Sequence, residues 1–119
     1  MANQKNLITG ILDIVVLSIL SQEDTYAYAL CKKITALSND KLSVTLSSIY
    51  TVIYKLERAK YITEYSVVVG KKRTRVYYHL EPSGHEYAHQ MLTEYFHITD
   101  SVACILHSLN LIKEEPSHE

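Results

Sequence analysis

Glycine, proline and tryptophan are scarce in this chain of 119 residues, which contains three Gly, two Pro and no Trp. So little glycine and proline leaves room only for short connections, which argues against a loop-rich or disordered protein. Cys31 and Cys104 lie too far apart in the chain to suggest a disulfide framework, and we interpret both as reduced core residues. The aromatic content is almost entirely tyrosine, ten against one Phe, and tyrosine suits half-wet surfaces.

No apolar run has the length and purity of a membrane span. The longest, Leu7 to Leu20, is interrupted by Asp13 and is followed by no small-residue cleavage site. We therefore expect no membrane partner and a soluble protein of the cytoplasm. The hydrophobic fraction of 47% predicts an ordinary globular domain with a substantial core.

Motifs of catalysis and cofactor binding are also missing. The chain contains no Gly-rich phosphate loop, no Ser-His-Asp grouping and no carboxylate pair in a pocket context, so neither an enzyme nor a cofactor is predicted. His85 and His89 have the i, i+4 spacing of metal ligands, but a third ligand at suitable spacing is missing. No metal site is predicted.

The net charge of −1 conceals a strong polarity of charge along the chain. Residues 1–54 hold four cations and four acids, residues 55–75 hold seven cations and two acids, and residues 76–119 hold one cation and seven acids. The three segments therefore carry 0, +5 and −6. Four cations fall within five positions, and such a cluster favours a negatively charged partner. They are Lys71, Lys72, Arg73 and Arg75.

Hydrophobic periodicity predicts three short helices at the start of the chain. The first is apolar nearly all round. The second begins at a cap formed by Asp24 or Thr25, and the third begins at Ser47 or Ser48 and runs to about Ala59.

A β-hairpin and one long helix complete the predicted elements. Residues 62–69 and 74–80 form the two strands, and Gly70 supplies a permissive backbone at the turn. Pro82 fits the first turn of the last helix, where apolar residues then recur at steps of three and four. This seam of about four heptads is too long for a small three-helix head to cover, so it predicts a homodimer.

The order of the elements predicts a mainly α fold with a β-hairpin: a winged helix-turn-helix followed by a long C-terminal dimerisation helix. In that fold the third helix enters the major groove of double-stranded DNA, and the hairpin, or wing, reaches phosphates or the minor groove. The predicted boundaries are 1–80 for the DNA-binding domain, 81–113 for the dimerisation helix and 114–119 for a flexible tail.

The predicted DNA contacts lie on the outer face of the third helix and on the wing. By helical geometry this outer face carries no acid, because Glu57 points elsewhere. The cations would neutralise phosphates, and the hydroxyl groups would bind phosphates or base edges. A winged-helix module that binds an acidic protein is the alternative. The predicted contacts are Ser47, Ser48, Tyr50, Thr51, Tyr54, Lys55, Arg58, Lys71, Lys72, Arg73, Thr74 and Arg75.

Three stretches also point to a family. They are LITGILDIVVLSIL near the start, SSIYTVIYKLERAKYI for the third helix, and GKKRTRVYYHLEPSGHEY for the wing and the start of the last helix. Through them the chain resembles the PadR family of bacterial transcriptional regulators, specifically its short members with a single C-terminal helix. The positions that match directly are Tyr50, Leu56, Glu57, Ile62, Arg75, Tyr77, Tyr78 and Gly84.

The chain departs from the family pattern close to the expected DNA surface. Ser47 and Ser48 stand where the family has Gly-Thr, Thr51 stands where it has Pro, and Lys60 stands where it has Gly after the third helix. The resemblance implies a DNA-binding transcriptional regulator, and we interpret it as a repressor that blocks access to a promoter. Because of these departures, it does not imply the DNA sequence that is read.

The resemblance also implies how the dimer forms, with the first helix of one subunit packed against the last helix of its partner. It further implies a small aromatic effector in a cavity between the subunits, near Phe96, although the chain has no Trp to stack on a planar ligand. The predicted interface residues are Leu7, Ile8, Ile11, Met91, Tyr95, Ile98, Val102, Ile105, Leu109 and Ile112.

Overall fold

The structure is a computed structural model, and it describes residues 10–112. Three short helices are followed by a two-stranded antiparallel hairpin and one long helix, as predicted. The elements are α1 (Ile11–Leu20), α2 (Ala27–Leu37), α3 (Leu46–Arg58), β1 (Ile62–Gly70), β2 (Arg73–Leu80) and α4 (Pro82–Ser108).

The chain divides into two compact units at the junction between Ala88 and His89. In the first unit, apolar side chains from α1, α2 and α3 meet the base of the hairpin in one core. Fully burying an aliphatic side chain stabilises the fold by roughly 1.5–3 kcal/mol. The most deeply buried side chains are Val16, Leu17, Leu30, Ile49, Ile53, Leu56, Ile62 and Leu80.

The two cysteines differ in their surroundings. Cys31 is half-buried against the core, where burial raises the pKa of its thiol, whereas Cys104 is exposed on α4. The interpretation of both as core residues is therefore wrong for Cys104, because the face of α4 that carries it packs against nothing in its own unit. Among residues 10–112, no helix combines the length and hydrophobicity that crossing a bilayer would need.

The hairpin turn is built differently from the prediction. Strands β1 and β2 pair from Ile62–Leu80 at the base to Gly70–Arg73 at the tip, with one irregularity before Gly70. The residue with a positive φ at the turn is Lys72, at 58°, and not Gly70. Gly70 instead ends β1, so the turn itself consists of two lysines.

Helix α2 starts without a side-chain cap. Its N-cap position is Tyr26, whereas Asp24 and Thr25 were predicted. Both residues are engaged by the hairpin: Asp24 accepts a hydrogen bond from Tyr65, and the carbonyl of Thr25 accepts one from the Tyr78 N–H at 2.8 Å. Hydrogen bonds to the hairpin have therefore taken the place of the predicted side-chain cap of α2.

The N-cap of helix α3 lies two residues before Ser47, the nearer of the two predicted caps. Thr45 is its N-cap, and the Thr45 hydroxyl accepts a hydrogen bond from the Ser48 N–H at 3.0 Å. Ser47 and Ser48, the predicted caps, therefore lie inside the first turn. The helix ends at Arg58, with Ala59 as its C-cap, which agrees with the prediction.

Helices α2, α3 and α4 end in the same way, with a residue other than glycine in the left-handed conformation. After α3, the Lys60 N–H donates to the Glu57 carbonyl at 2.9 Å and the Tyr61 N–H donates to the Leu56 carbonyl at 3.0 Å. This is a Schellman motif, in which glycine is usual at the left-handed position because it has no Cβ. The left-handed residues are Asn39 (φ 56°), Lys60 (φ 67°) and Asn110 (φ 60°).

We expect Lys60→Gly to raise the free energy of unfolding by about 1 kcal/mol, because a non-glycine residue in this conformation costs about that much. Urea denaturation of the variant would measure the gain. Lys60→Ala removes the same side chain but keeps the Cβ, so its stability should stay close to that of the parent. Equal stability of the glycine and alanine variants would contradict this explanation.

Helix α4 begins with Pro82, as predicted, and of its 27 residues only Gly84 is buried. The helix stops at Ser108, five residues before the predicted end at 113, because Asn110 takes the left-handed conformation. Two residues of the predicted seam, Leu109 and Ile112, therefore follow the helix. Their side chains are exposed.

Candidate nucleic-acid interface

The outer face of α3 is exposed because the opposite face supplies the core. Ile49, Val52, Ile53 and Leu56 are buried, and the residues between them point away from the core. Tyr50 retains 49% of its accessible surface and Tyr54 retains 62%, which are large values for aromatic rings. The face so exposed consists of Ser47, Tyr50, Thr51, Tyr54 and Arg58.

Two hydroxyl groups on this helix already have partners. The Ser48 hydroxyl accepts from the Thr45 hydroxyl at 3.0 Å, and Ser48 is half-buried, so it belongs to the helix cap. The Thr51 hydroxyl donates to the Ser47 carbonyl at 3.1 Å and keeps its lone pairs free to accept. Ser47 and Thr51 therefore present polar groups outwards, whereas Ser48 shapes the start of the helix.

The two cations of α3 are in different situations. The Lys55 ammonium lies 2.6 Å from the carboxylate of Asp13, whose side chain retains only 11% of its surface. A nearly buried carboxylate needs such a partner, so Lys55 connects α3 to α1. The Arg58 guanidinium lies 5.4 Å from the ring centre of Tyr54 and is exposed. Of these two predicted phosphate contacts, only Lys55 is paired with an acid among residues 10–112, so Arg58 is the more available to a phosphate.

The tip of the hairpin presents cations that no acid in the described part of the chain neutralises. Lys71, Lys72, Arg73 and Thr74 are all exposed, and within residues 10–112 no acid pairs with the three cations. Arg75 differs, because its guanidinium lies 4.1 Å from the ring centre of Tyr26 and is half-buried. The tip therefore holds three exposed cations, and Arg75 helps to attach the strand behind them to Tyr26.

A cluster around Asp24 holds the hairpin to the loop before α2. The Tyr65 hydroxyl donates to one oxygen of Asp24 at 2.7 Å, and Nδ1 of His79 lies 2.9 Å from the other. These two hydrogen bonds, the one from Tyr65 first, hold the pKa of Asp24 below its ordinary value. The bond to Asp24 in turn raises the pKa of His79. These two hydrogen bonds attach one side of the hairpin to the loop before α2.

A ladder of rings extends the same attachment along the hairpin. The Tyr77 ring packs edge-on against Tyr26 at 5.4 Å and stacks on Tyr65 at 5.7 Å. Tyr77 therefore supports the wing, whereas the next residue, Tyr78, is buried on the opposite face of the strand. The sequence did not reveal that Asp24 holds the hairpin, because its partners lie 41 and 55 residues away in the chain.

An open groove of about 610 Å³ runs between α3 and the hairpin. It contradicts the prediction that no acid borders the outer face of α3, because Glu57 and Glu64 both line it. Burial, with the adjoining carboxyl group of Glu64, raises the pKa of Glu57 to about 7. Glu57 follows Tyr50 by seven residues, which places the two side chains within about 20° of each other around the helix, and β1 supplies the second acid. The lining residues are Ser47, Tyr50, Thr51, Ile53, Tyr54, Glu57, Glu64 and Tyr78.

Several solved structures share this fold. A transcriptional regulator from Clostridium thermocellum is 26% identical, with a TM-score of 0.77 over 82% of this chain and 95% of that one. A PadR family regulator from Eggerthella lenta is 24% identical, with a TM-score of 0.75 over 88% of this chain and 89% of that one. Bacillus subtilis PadR, solved in complex with operator DNA, is 21% identical, with a TM-score of 0.64 over 92% of this chain and 51% of that one.

No curated protein matches the chain. The model of the PadR-like family of transcriptional regulators, however, matches residues 16–90, which is more than half of the sequence and includes α3, the whole hairpin and the start of α4. The matched family consists of regulators and not of enzymes. The chain therefore belongs to the PadR-like family of transcriptional regulators.

Proposed function

We propose that this protein binds double-stranded DNA through α3 and the hairpin tip and represses transcription by occupying its operator. The observation that carries the proposal is the hairpin tip, where Lys71, Lys72 and Arg73 are exposed and unpaired among the described residues. Unpaired cations of this kind release counterions from DNA when they contact phosphates. The related Bacillus subtilis protein, crystallised with operator DNA, supports the assignment.

The two parts of the surface would have separate roles. The exposed face of α3 offers Ser47, Tyr50 and Thr51 to base edges, whereas the wing supplies charge to the backbone. Arg58 would add a phosphate contact. Of the remaining predicted contacts, Ser48, Lys55 and Arg75 act in this proposal as positioning residues, because each is engaged by another part of the protein. A regulator of this kind would act in the cytoplasm.

Selection from randomised duplex DNA tests the proposal. We expect enrichment of one sequence, binding that survives excess competitor DNA, and an affinity that falls steeply with salt. A two-fold symmetric sequence would further support a dimer with two heads. The alternative, a module that binds an acidic protein, predicts no enriched sequence, and that outcome would remove the proposed function.

We further propose that the protein is a homodimer formed through α4. Within the second unit, α4 exposes a stripe of large apolar side chains, and Ile98, Val102 and Ile105 each retain about half of their surface. A contiguous stripe of this kind is unusual on a soluble monomer and typical of an interface. Met91 and Tyr95 of the predicted interface are half-buried, and Leu7 and Ile8 lie outside the described residues.

Val102→Asp should convert the dimer to monomers, because pairing the helices would bury two unpaired carboxylates at the seam. Sedimentation equilibrium at micromolar concentration would show the change in mass. Thr93→Asp is the matched control, since Thr93 is exposed on the opposite side of the helix. A Val102→Asp protein that keeps the parental mass would contradict dimerisation through this stripe.

The aromatic effector stays a prediction from the family resemblance. Of the residues expected near it, Tyr95 and Phe96 lie edge to face with ring centres 5.3 Å apart, and Phe96 is exposed.

A further inference from the structure

The groove between α3 and the hairpin has a chemical character that DNA binding does not explain. Glu57 and Glu64 place two carboxyl groups beside the helix that is proposed to enter a polyanion. Its other polar lining residues are Ser47, Thr51 and the tyrosines Tyr50, Tyr54 and Tyr78. Its volume of about 610 Å³ lies within the range of roughly 300–1,000 Å³ that small-molecule sites occupy.

The Tyr78 hydroxyl is a polar group without a partner in this groove. Tyr78 retains only 5% of its surface, yet its hydroxyl forms no hydrogen bond with any residue between 10 and 112. Among residues 10–112 no fully buried side-chain oxygen lacks a partner, so this hydroxyl retains contact with solvent, and the groove that Tyr78 lines supplies that contact. Burial, with the nearby Tyr50, Glu64 and Glu57, raises the pKa of the hydroxyl to about 12, which keeps it intact as donor and acceptor.

The two carboxyl groups are likewise unpaired with any cation in the described part of the chain. Burial and the nearness of Glu64 make the ionised form of Glu57 unfavourable. A cation placed between the two groups would reverse that penalty. The occupant that best complements the groove is therefore positively charged.

The aromatic residues that line the groove favour an organic ammonium ion over a metal ion as the cation. No group of three or more His, Cys, Asp or Glu side chains lies together among residues 10–112, so the groove lacks the donors that a bound metal ion requires. Tyrosine faces attract organic ammonium ions and pack against the carbon skeleton that carries them. An ammonium group has three N–H donors, which match two carboxylates and one phenol oxygen.

We propose that this groove binds a small organic primary ammonium ion, with the ammonium group held by Glu57, Glu64 and Tyr78 and the carbon skeleton packed against Tyr50 and Tyr54. The site lies within one subunit, in its first compact unit. It is therefore separate from the aromatic effector expected between subunits. Binding of the ammonium ion does not depend on the proposed DNA-binding function.

The consequence for DNA binding does rest on the proposed function. Ser47, Tyr50, Thr51 and Tyr54 line the groove and also form most of the exposed face of α3. A ligand that packs against Tyr50 and Tyr54 would occupy the surface that α3 presents to bases. The ammonium ion and DNA should therefore compete.

The first experiment measures ligand binding without DNA. We expect 2-phenylethylamine, a primary ammonium ion at neutral pH, to bind one site per chain with a Kd on the order of 0.5 mM by NMR titration or calorimetry. The neutral analogue 2-phenylethanol should bind at least ten-fold more weakly. Equal binding of the two compounds, or no binding of the amine at far higher concentration, would overturn the proposal.

Conservative variants locate the site. Glu57→Gln and Glu64→Gln should each weaken amine binding about ten-fold, and Tyr78→Phe should weaken it several-fold while leaving the unfolding temperature unchanged, because the hydroxyl has no partner to lose. Glu86→Gln, on the exposed face of α4, is the control and should bind as the parent does. Circular dichroism verifies folding, and parental affinity in all three folded groove variants would overturn the assignment.

A second experiment separates this proposal from the proposed function. With a DNA sequence obtained by selection, saturating 2-phenylethylamine should weaken DNA binding about ten-fold, and Glu64→Gln should abolish that effect. If no DNA sequence is selected, the proposed function fails but the amine titration still decides the ligand site. If the amine binds and DNA affinity is unchanged, the ligand site stands and the competition is wrong.

Discussion

Replacing Gly84 by alanine is expected to lower the free energy of unfolding by about 3 kcal/mol. A Cβ at this position would lie 2.2 Å from the backbone oxygen of Tyr61 and 2.5 Å from Cδ1 of Leu80. The Tyr61 carbonyl cannot move freely, because it accepts a hydrogen bond from the Glu81 N–H at 2.9 Å. The Tyr61 ring also stacks on Tyr87, with ring centres 4.1 Å apart.

The added methyl group would therefore separate the start of α4 from Tyr61, in the connection between α3 and β1, and from Leu80 at the end of β2. The better helix propensity of alanine offsets about 1 kcal/mol of the loss at most. Urea denaturation followed by circular dichroism measures the effect. Gly70→Ala is the control, since a Cβ there meets no atom within 4 Å, and its stability should change by less than about 0.5 kcal/mol. A Gly84→Ala protein as stable as the control would show that this junction adjusts readily.

Changing Lys71, Lys72 and Arg73 together to alanine is expected to weaken DNA binding roughly 100-fold at moderate salt. If each cation neutralises one phosphate, the slope of log K against log salt should decrease by about 2.7, which is three contacts at about 0.9 each. The preferred sequence should not change, because phosphate contacts carry no base information. The fold should persist, since none of these side chains has a partner acid among the described residues.

A variant that lacks the cations of α2 separates local contacts from general charge. Lys33 pairs with Glu23, and the Lys32 ammonium lies 5.4 Å from the Tyr28 ring centre, so both are engaged within the protein. Changing Lys32 and Lys33 to alanine should reduce the salt slope far less than the hairpin variant does. Equal effects of the two variants would mean that net charge, and not the wing, controls affinity.

Hydrophobic periodicity was sufficient to predict the order of the elements and the inner face of α3. Ile49, Ile53 and Leu56 recur at steps of four and three residues, and all three are buried, because such a repeat keeps one face of a helix toward the core. The ends of elements were less predictable. Thr45 and Ser48 are near-equivalent capping residues by type, and the choice between them depends on the path of the chain before the helix.

The candidate site was predictable where a residue faces solvent and unpredictable where a distant element reaches it. Exposure of the wing cations follows from their position at a turn. By contrast, Lys55 was placed on the outer face by its helical angle, but Asp13, a buried acid in the first turn of α1, pairs with it. Asp24 was assigned to a helix cap because its partners, Tyr65 and His79, come from a hairpin far along the sequence.

The hairpin has one more consequence, which concerns the behaviour of many copies of the protein. Strand β1 pairs only with β2 within the described residues, so its outer edge carries unpaired backbone N–H and C=O groups. Such edges can join to each other and cause aggregation. The three cations at the tip repel a second hairpin that approaches in this way, and Lys72 in a left-handed turn ends the flat edge. The same charges that are proposed to bind DNA would thus protect the protein from aggregating through its strand edges, which is separate from the dimer proposed through α4.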